Sequence, residues 1–164
     1  MRVLSASLLC LAVLAGASAQ TAGKGKPVVN FNVEADFDKY PQKTPQEALN
    51  SVVKALTDRR VDYLLAHLAD PAFVQAKLKI LKAQMSASLT DDTKATLAFQ
   101  RLVKATDEHF RDDPTKVREL GRFAKDGEWA TAESGAAASL KLLPARKVFL
   151  KKVQDRWYLE DRDK

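Results

Sequence analysis

A chain of 164 residues with 46% hydrophobic residues, a formal net charge of +6 and a single cysteine has room for one apolar core. One cysteine excludes a disulfide framework. The 27 basic residues are interleaved with 21 acidic ones, so the clustered positive footprint of a specific nucleic-acid binder is missing.

The first 19 residues carry an address. Arg2 is the one charge ahead of an apolar run from Val3 to Ala15, and Ala17-Ser18-Ala19 has the small-x-small pattern that a signal peptidase cuts. The run is shorter than the ~20 residues of a spanning helix. A secreted or periplasmic protein starting at Gln20 is therefore expected, with no membrane span. Removing 19 of the 164 residues leaves 145, enough for one domain that buries roughly 68–70% of its unfolded surface. Cys10 lies inside the leader behind Leu8-Leu9, without the small residue that lipidation requires, so no thiol chemistry is expected after cleavage. Asn30, Asn32 and Asn50 are each followed by the wrong pair for a glycosylation sequon.

Residues 20–43 are punctuated by Gly23, Gly25, Pro27 and Pro41 and read as a flexible tether, with Val28–Val33 as a possible edge strand. A single domain is expected over 44–162. Thr44-Pro45-Gln46-Glu47 is a capping box with proline at the first helical position, and Leu49, Val52, Val53 and Leu56 form the apolar stripe behind it. Val61, Leu64, Leu65 and Leu68 start a second stripe. Asp70-Pro71 caps a third helix carrying Phe73, Val74, Leu78, Leu81 and Met85. Thr90, Asp91 and Asp92 open a fourth, with Phe99, Leu102, Val103, Thr106 and Phe110 inward, ending before Pro114. From Val117 the period reads as 2. Strands are expected at 117–123, 128–133, 136–142, 147–153 and 156–160, with a hairpin turn at Lys125-Asp126-Gly127. The layout is α+β, with N-terminal helices on an antiparallel sheet of four to five strands.

Few residues point to chemistry. Tyr63, His67 and Asp70 lie within about 60° of one another on the second helix, so Tyr63 and His67 are acid–base candidates. Their arc faces away from the Val61–Leu68 stripe and is expected on the solvent side. His109 has no second histidine or thiol at ligand spacing, so no metal is expected, and no cofactor motif is present. Trp129 and Trp157 fall in strands, where large aromatics line a pocket or fill a core. With Leu140 and Leu150 they form the candidate wall of a ligand pocket, while the face Trp157 shares with Leu159 favours plain core. The opposite face of the last hairpin alternates Lys147, Phe149, Lys151, Arg156, Tyr158 and Glu160, a surface for a partner or for a homodimer.

The capped "TPQEALNSVVKAL" helix, "RRVDYLLAHLADPAF", "DGEWATAES" and the closing "KVFLKKVQDRWYLED" together resemble the nuclear transport factor 2-like superfamily, over roughly residues 44–160. The resemblance implies a strongly curved sheet whose helices close a cone-shaped pocket. Members include isomerases, dehydratases, cyclases and non-catalytic binding domains, and the enzymes place an Asp–His or Asp–Tyr pair deep in the cone. Neither pair has a matching motif here, so no catalytic residue is carried over. The function expected is non-catalytic binding of a small apolar ligand or a protein partner. The alternative is an isomerase-, dehydratase- or cyclase-type enzyme working through one acid–base residue in the cone. A basic surface adaptor for an anionic envelope or glycan is a third class.

Overall fold

The computed structural model describes residues 28–132, 134–143 and 146–160; the leader and its cleavage site lie outside them. Helix α1 (Pro45–Thr57) starts as its sequence dictates. The Thr44 hydroxyl accepts from the Glu47 amide at 3.1 Å, and the Glu47 carboxylate accepts from the Thr44 and Lys43 amides. After the turn at Asp58–Arg60, a short α2 (Val61–Tyr63) runs directly into a π-turn at Leu64–Leu68, where the Ala69 amide bonds to Leu64 O, five residues back, at 2.8 Å. Helix α3 (Pro71–Ala83) is capped by Asp70 and α4 (Asp91–Asp112) by Thr90.

Beyond α4 the expectation of a strand at 117–123 fails. Residues Pro114–Asp126 form helix α5, capped by the Asp113 carboxylate, which accepts from the Thr115 amide. Asp113-Pro114 repeats the signal of Asp70-Pro71: an acidic cap, then a proline preset for the first helical turn. The expected hairpin turn at Lys125–Gly127 is the end of this helix. Gly127 is required by close approach, because a Cβ there would lie 2.5 Å from Leu140 Cδ1 and 2.8 Å from Phe123 O.

Four strands, not five, follow: β3 (Glu128–Thr131), β4 (Ala137–Leu143), β5 (Arg146–Val153) and β6 (Arg156–Glu160), an antiparallel meander in the order β3-β4-β5-β6. The sheet is packed against helices and is not strongly curled, so the cone implied by the resemblance is not seen. Its inner face holds Ala138, Leu140, Leu150 and Trp157, packed on Ala48 and Leu49 of α1 and on Phe123 and Ala124 of α5. Those side chains fill the space that a cone would leave. Gln46 bolts the joint: its amide donates to Ala124 O and accepts from Trp129 Nε1.

From Val28 onward, the stretch expected as a tether packs on the helices. Val29–Asn30 (β1) and Val33–Glu34 (β2) form a two-stranded hairpin of their own instead of an edge of the main sheet. Tyr40 is 1% exposed and Gln42 3%. The Gln42 side-chain amide donates to His67 O (2.8 Å) and Trp157 O (2.9 Å), and the Gln42 backbone carbonyl accepts from the Trp157 amide, while the side-chain oxygen Oε1 is buried without a partner. One buried amide therefore ties residues 28–43 to both the π-turn and the sheet.

Candidate functional site

A groove of about 920 Å³ opens between the β1–β2 hairpin, the turn from α1 into α2, and one flank of α4. Phe31, Val33, Val61, Phe99 and Val103 give it an apolar floor; Arg59, Asp62, Asp92, Lys104 and Asp107 stand around its rim. Its volume falls in the range of small-molecule sites, roughly 300–1,000 Å³.

The hairpin tip makes this groove. Asn30 pairs with Val33, leaving Phe31 and Asn32 as a two-residue loop with φ of +53° and +62°. Such a loop matches the twist of two antiparallel strands but asks both residues for the left-handed region. Asparagine adopts it readily. A phenylalanine there is a true outlier, at a cost of about 1–3 kcal/mol. The offset is visible: the Phe31 ring stacks on Phe99 at 4.4 Å, with planes 11° apart. Across the groove Arg59 is also left-handed, at φ +55°, where the chain reverses between α1 and α2.

The rim charges are largely matched within the chain. Arg60 grips Asp62 through two bonds of 2.9 and 3.0 Å. Burial of Asp62 opposes its charge, but the Arg60 bonds and the Tyr63 amide hold its carboxyl below the usual range. Lys104 reaches Glu108 at 3.9 Å and Asp107 reaches Arg111 at 3.8 Å, both one turn apart on exposed α4 and each worth little alone.

Tyr63 and His67, the acid–base candidates, were expected on the solvent side. Both are buried, at 1% and 4% exposure, and Asp70 is buried with them. The reason is the covering layer: residues 28–43 lie over the arc that periodicity assigns to water. Tyr63 packs between Tyr40 (4.2 Å) and His67 (4.9 Å), and its hydroxyl donates to Asp36 O and accepts from the Asp36 amide. Burial pushes its phenol up. His67 Nε2 lies 2.9 Å from Val33 O, an acceptor, so this nitrogen carries the proton. Asn30 Nδ2 donates to Ala66 O at 3.0 Å and faces His67 Nδ1 at 3.4 Å, so Nδ1 is the bare acceptor. Burial lowers the imidazole pKa, and Arg156 lowers it further, against opposing contributions from the Val33 bond and Asp62. His67 is thus a neutral imidazole used as a tie. Neither it nor Tyr63 lines the groove.

The other sequence candidates lie elsewhere. Leu140, Leu150 and Trp157 are buried in the joint between sheet and helices, and Trp129 is half-buried beside them; none of the four lines the groove. On the far face of the sheet the strand register sets Phe149 opposite Glu160 and Lys151 opposite Tyr158. Two cations of that face are already engaged: Lys151 with Asp70 at 3.7 Å, and Arg156, whose guanidinium sits 3.6 Å from the Phe37 ring centre. His109 is exposed and meets Lys116 Nζ at 2.9 Å. Among the described residues no group of three or more His, Cys, Asp or Glu is placed to hold a metal ion, and no helix is long and apolar enough to cross a membrane. Sequence reasoning missed the groove because its floor is split between a hairpin tip and one face of α4, some 70 residues apart. The one available signal was Phe31-Asn32, a turn-tolerant asparagine between short β-branched runs. No family model matches this chain, and neither a curated protein nor a solved structure matches it.

Proposed function

We propose that this chain is an exported, non-catalytic binding protein whose hairpin–α4 groove takes a drug-sized, mostly apolar, uncharged ligand. The observation that carries the reading is the groove's build: a floor with a stacked phenylalanine pair, under a rim of both signs in which Asp62, Lys104 and Asp107 are each paired with a neighbouring residue outside the groove. Such a rim gives a strongly charged ligand little net attraction, while the floor rewards apolar area removed from water. Export rests on the leader at residues 1–19, and descent from the nuclear transport factor 2-like superfamily rests on the order of capped helices before an antiparallel meander. The enzyme reading is weaker. Tyr63 and His67 both commit their polar atoms to backbone partners or Asn30, and neither faces the groove.

The test uses N-phenyl-1-naphthylamine, an uncharged apolar fluorophore, as the probe. Saturable binding is expected. It should be lost in Gln100→Trp, which fills the groove from an exposed position on α4, and weakened in Phe99→Ala. Equal binding by Gln100→Trp and the parent protein, or no saturable binding by the parent, refutes the reading.

A further inference from the structure

The two hairpin residues that meet the His67 ring are Asn30 and Val33, and they are also the pair that closes the Phe31-Asn32 loop. One imidazole therefore holds both feet of the loop whose tip forms a wall of the groove. We propose that the β1–β2 hairpin is an acid-released lid of that groove, held shut by the neutral form of His67. The proposal rests on the groove being the binding site only for its consequence on ligand; the release itself is a property of the fold.

The chemistry of the tie sets the direction. In the closed form Nε2–H donates to Val33 O, and Nδ1 accepts from Asn30. A second proton would go on Nδ1. There it meets the Asn30 NH₂, and donor faces donor. The Asn30 amide could turn its oxygen toward the ring, but Ala66 O would then lose the Nδ2 donor that reaches it now. A buried carbonyl without a donor is costly, so protonation weakens the hold on either course. The strain already stored at Phe31 (φ +53°) favours opening once the feet are loosened.

The groups around the ring do not rescue the charged form. Arg156 of β6 opposes it and Asp62 of α2 favours it, but Asp62 is already bound twice by Arg60. Tyr63, packed against the ring at a tilt, is neutral. Asp70 at the head of α3 pairs with Lys151. Gln42, which covers the His67 carbonyl, carries no charge, and α1 presents Val52 and Ala55 to this core rather than a carboxylate. Burial in this setting lowers the pKa of the imidazole, so the second proton binds chiefly when the hairpin has opened.

Hydrogen exchange read by mass spectrometry, corrected for the intrinsic pH dependence of amide exchange, tests this without any ligand. In the parent protein, opening of residues 28–36 should rise by up to about tenfold per pH unit below pH 6.5, the limit for one coupled proton. Exchange in β4–β6, which needs global unfolding, should stay slower than that of residues 28–36 at every pH. In His67→Gln the pH dependence of residues 28–36 should vanish. Asn30→Asp, which puts a carboxylate against Nδ1, should keep the hairpin shut to lower pH, and it decides the matter if His67→Gln does not fold. Residues 28–36 exchanging at a pH-independent rate in the parent would overturn the proposal, as would an unchanged acid response in Asn30→Asp. N-phenyl-1-naphthylamine release over the same pH range should follow the opening. If the probe never binds, the site reading fails while the exchange data still judge the lid.

Discussion

The chain joins its layers in two different ways. Where the sheet meets α1 and α5, the contact is almost wholly apolar: Leu49, Leu140 and Leu150 are fully buried, with Phe123, Ala124 and Trp157 around them. Where residues 28–43 meet the π-turn, the contact is a net of named hydrogen bonds among Asn30, Asp36, Gln42, Tyr63 and His67. The first joint is held by area removed from water and has no protonation state. The second is held by paired donors and acceptors, with Gln42 Oε1 left over, and such groups are expensive to bury unmatched. One joint fixes the fold; the other can respond to acid.

Breaking the apolar joint should cost most. Leu140→Ala removes a buried side chain that touches Gly127 and the α5 end, and a loss of about 3 kcal/mol is expected, measured by urea unfolding. A loss under 1 kcal/mol would mean that the joint collapses easily and is not tightly packed. At the polar joint, Gln42→Ala strips the donor from His67 O and Trp157 O and should cost about 2 kcal/mol, with the loss visible in the same unfolding curves.

The two joints should separate by pH. His67 has its pKa depressed by folding, from an ordinary value of 6.5. The unfolded chain therefore takes up this proton first as pH falls. Its contribution to stability is complete above pH 6.5 and declines below it, at no more than about 1.4 kcal/mol per pH unit. Urea titrations from pH 8 to pH 5 in the parent and in His67→Gln isolate this contribution; identical slopes in the two proteins would remove His67 from the account. The smallest effect is expected at a helix end that serves neither joint directly. Thr44→Ala dismantles the capping box of α1 and should cost about 1 kcal/mol, the same at all pH values in that range.

The contrast also explains what the sequence made readable. The apolar joint is legible because its residues repeat: Leu49 and Val53 at helical spacing, Ala138 and Leu140 at strand spacing. Thr44, Asp70 and Thr90 announced their helices through side chains that accept from nearby amides. Asp113-Pro114 announces α5 in the same way, and the cap outweighs the alternation from Val117. The polar joint was illegible. Nothing local in Gln42, Asn30 or His67 says that each will find a backbone partner 25 to 115 residues away. A tether over 28–43 and a solvent-facing Tyr63–His67 arc fail together, because each segment is the other's cover. The groove shares that difficulty, since Phe31 and Phe99 meet only through the folded hairpin.

The claim on which the rest depends is that a neutral, Nε2-protonated imidazole at position 67 holds the hairpin down. The direct measurement is a ¹⁵N–¹H NMR titration of the two histidine rings. For His67 the Nε2–H tautomer is expected at pH 7.5, with protonation only below the ordinary imidazole value of 6.5, accompanied by shifts in the Asn30 side-chain amide. A proton on Nδ1 at neutral pH, or a His67 midpoint at or above 6.5, would contradict it.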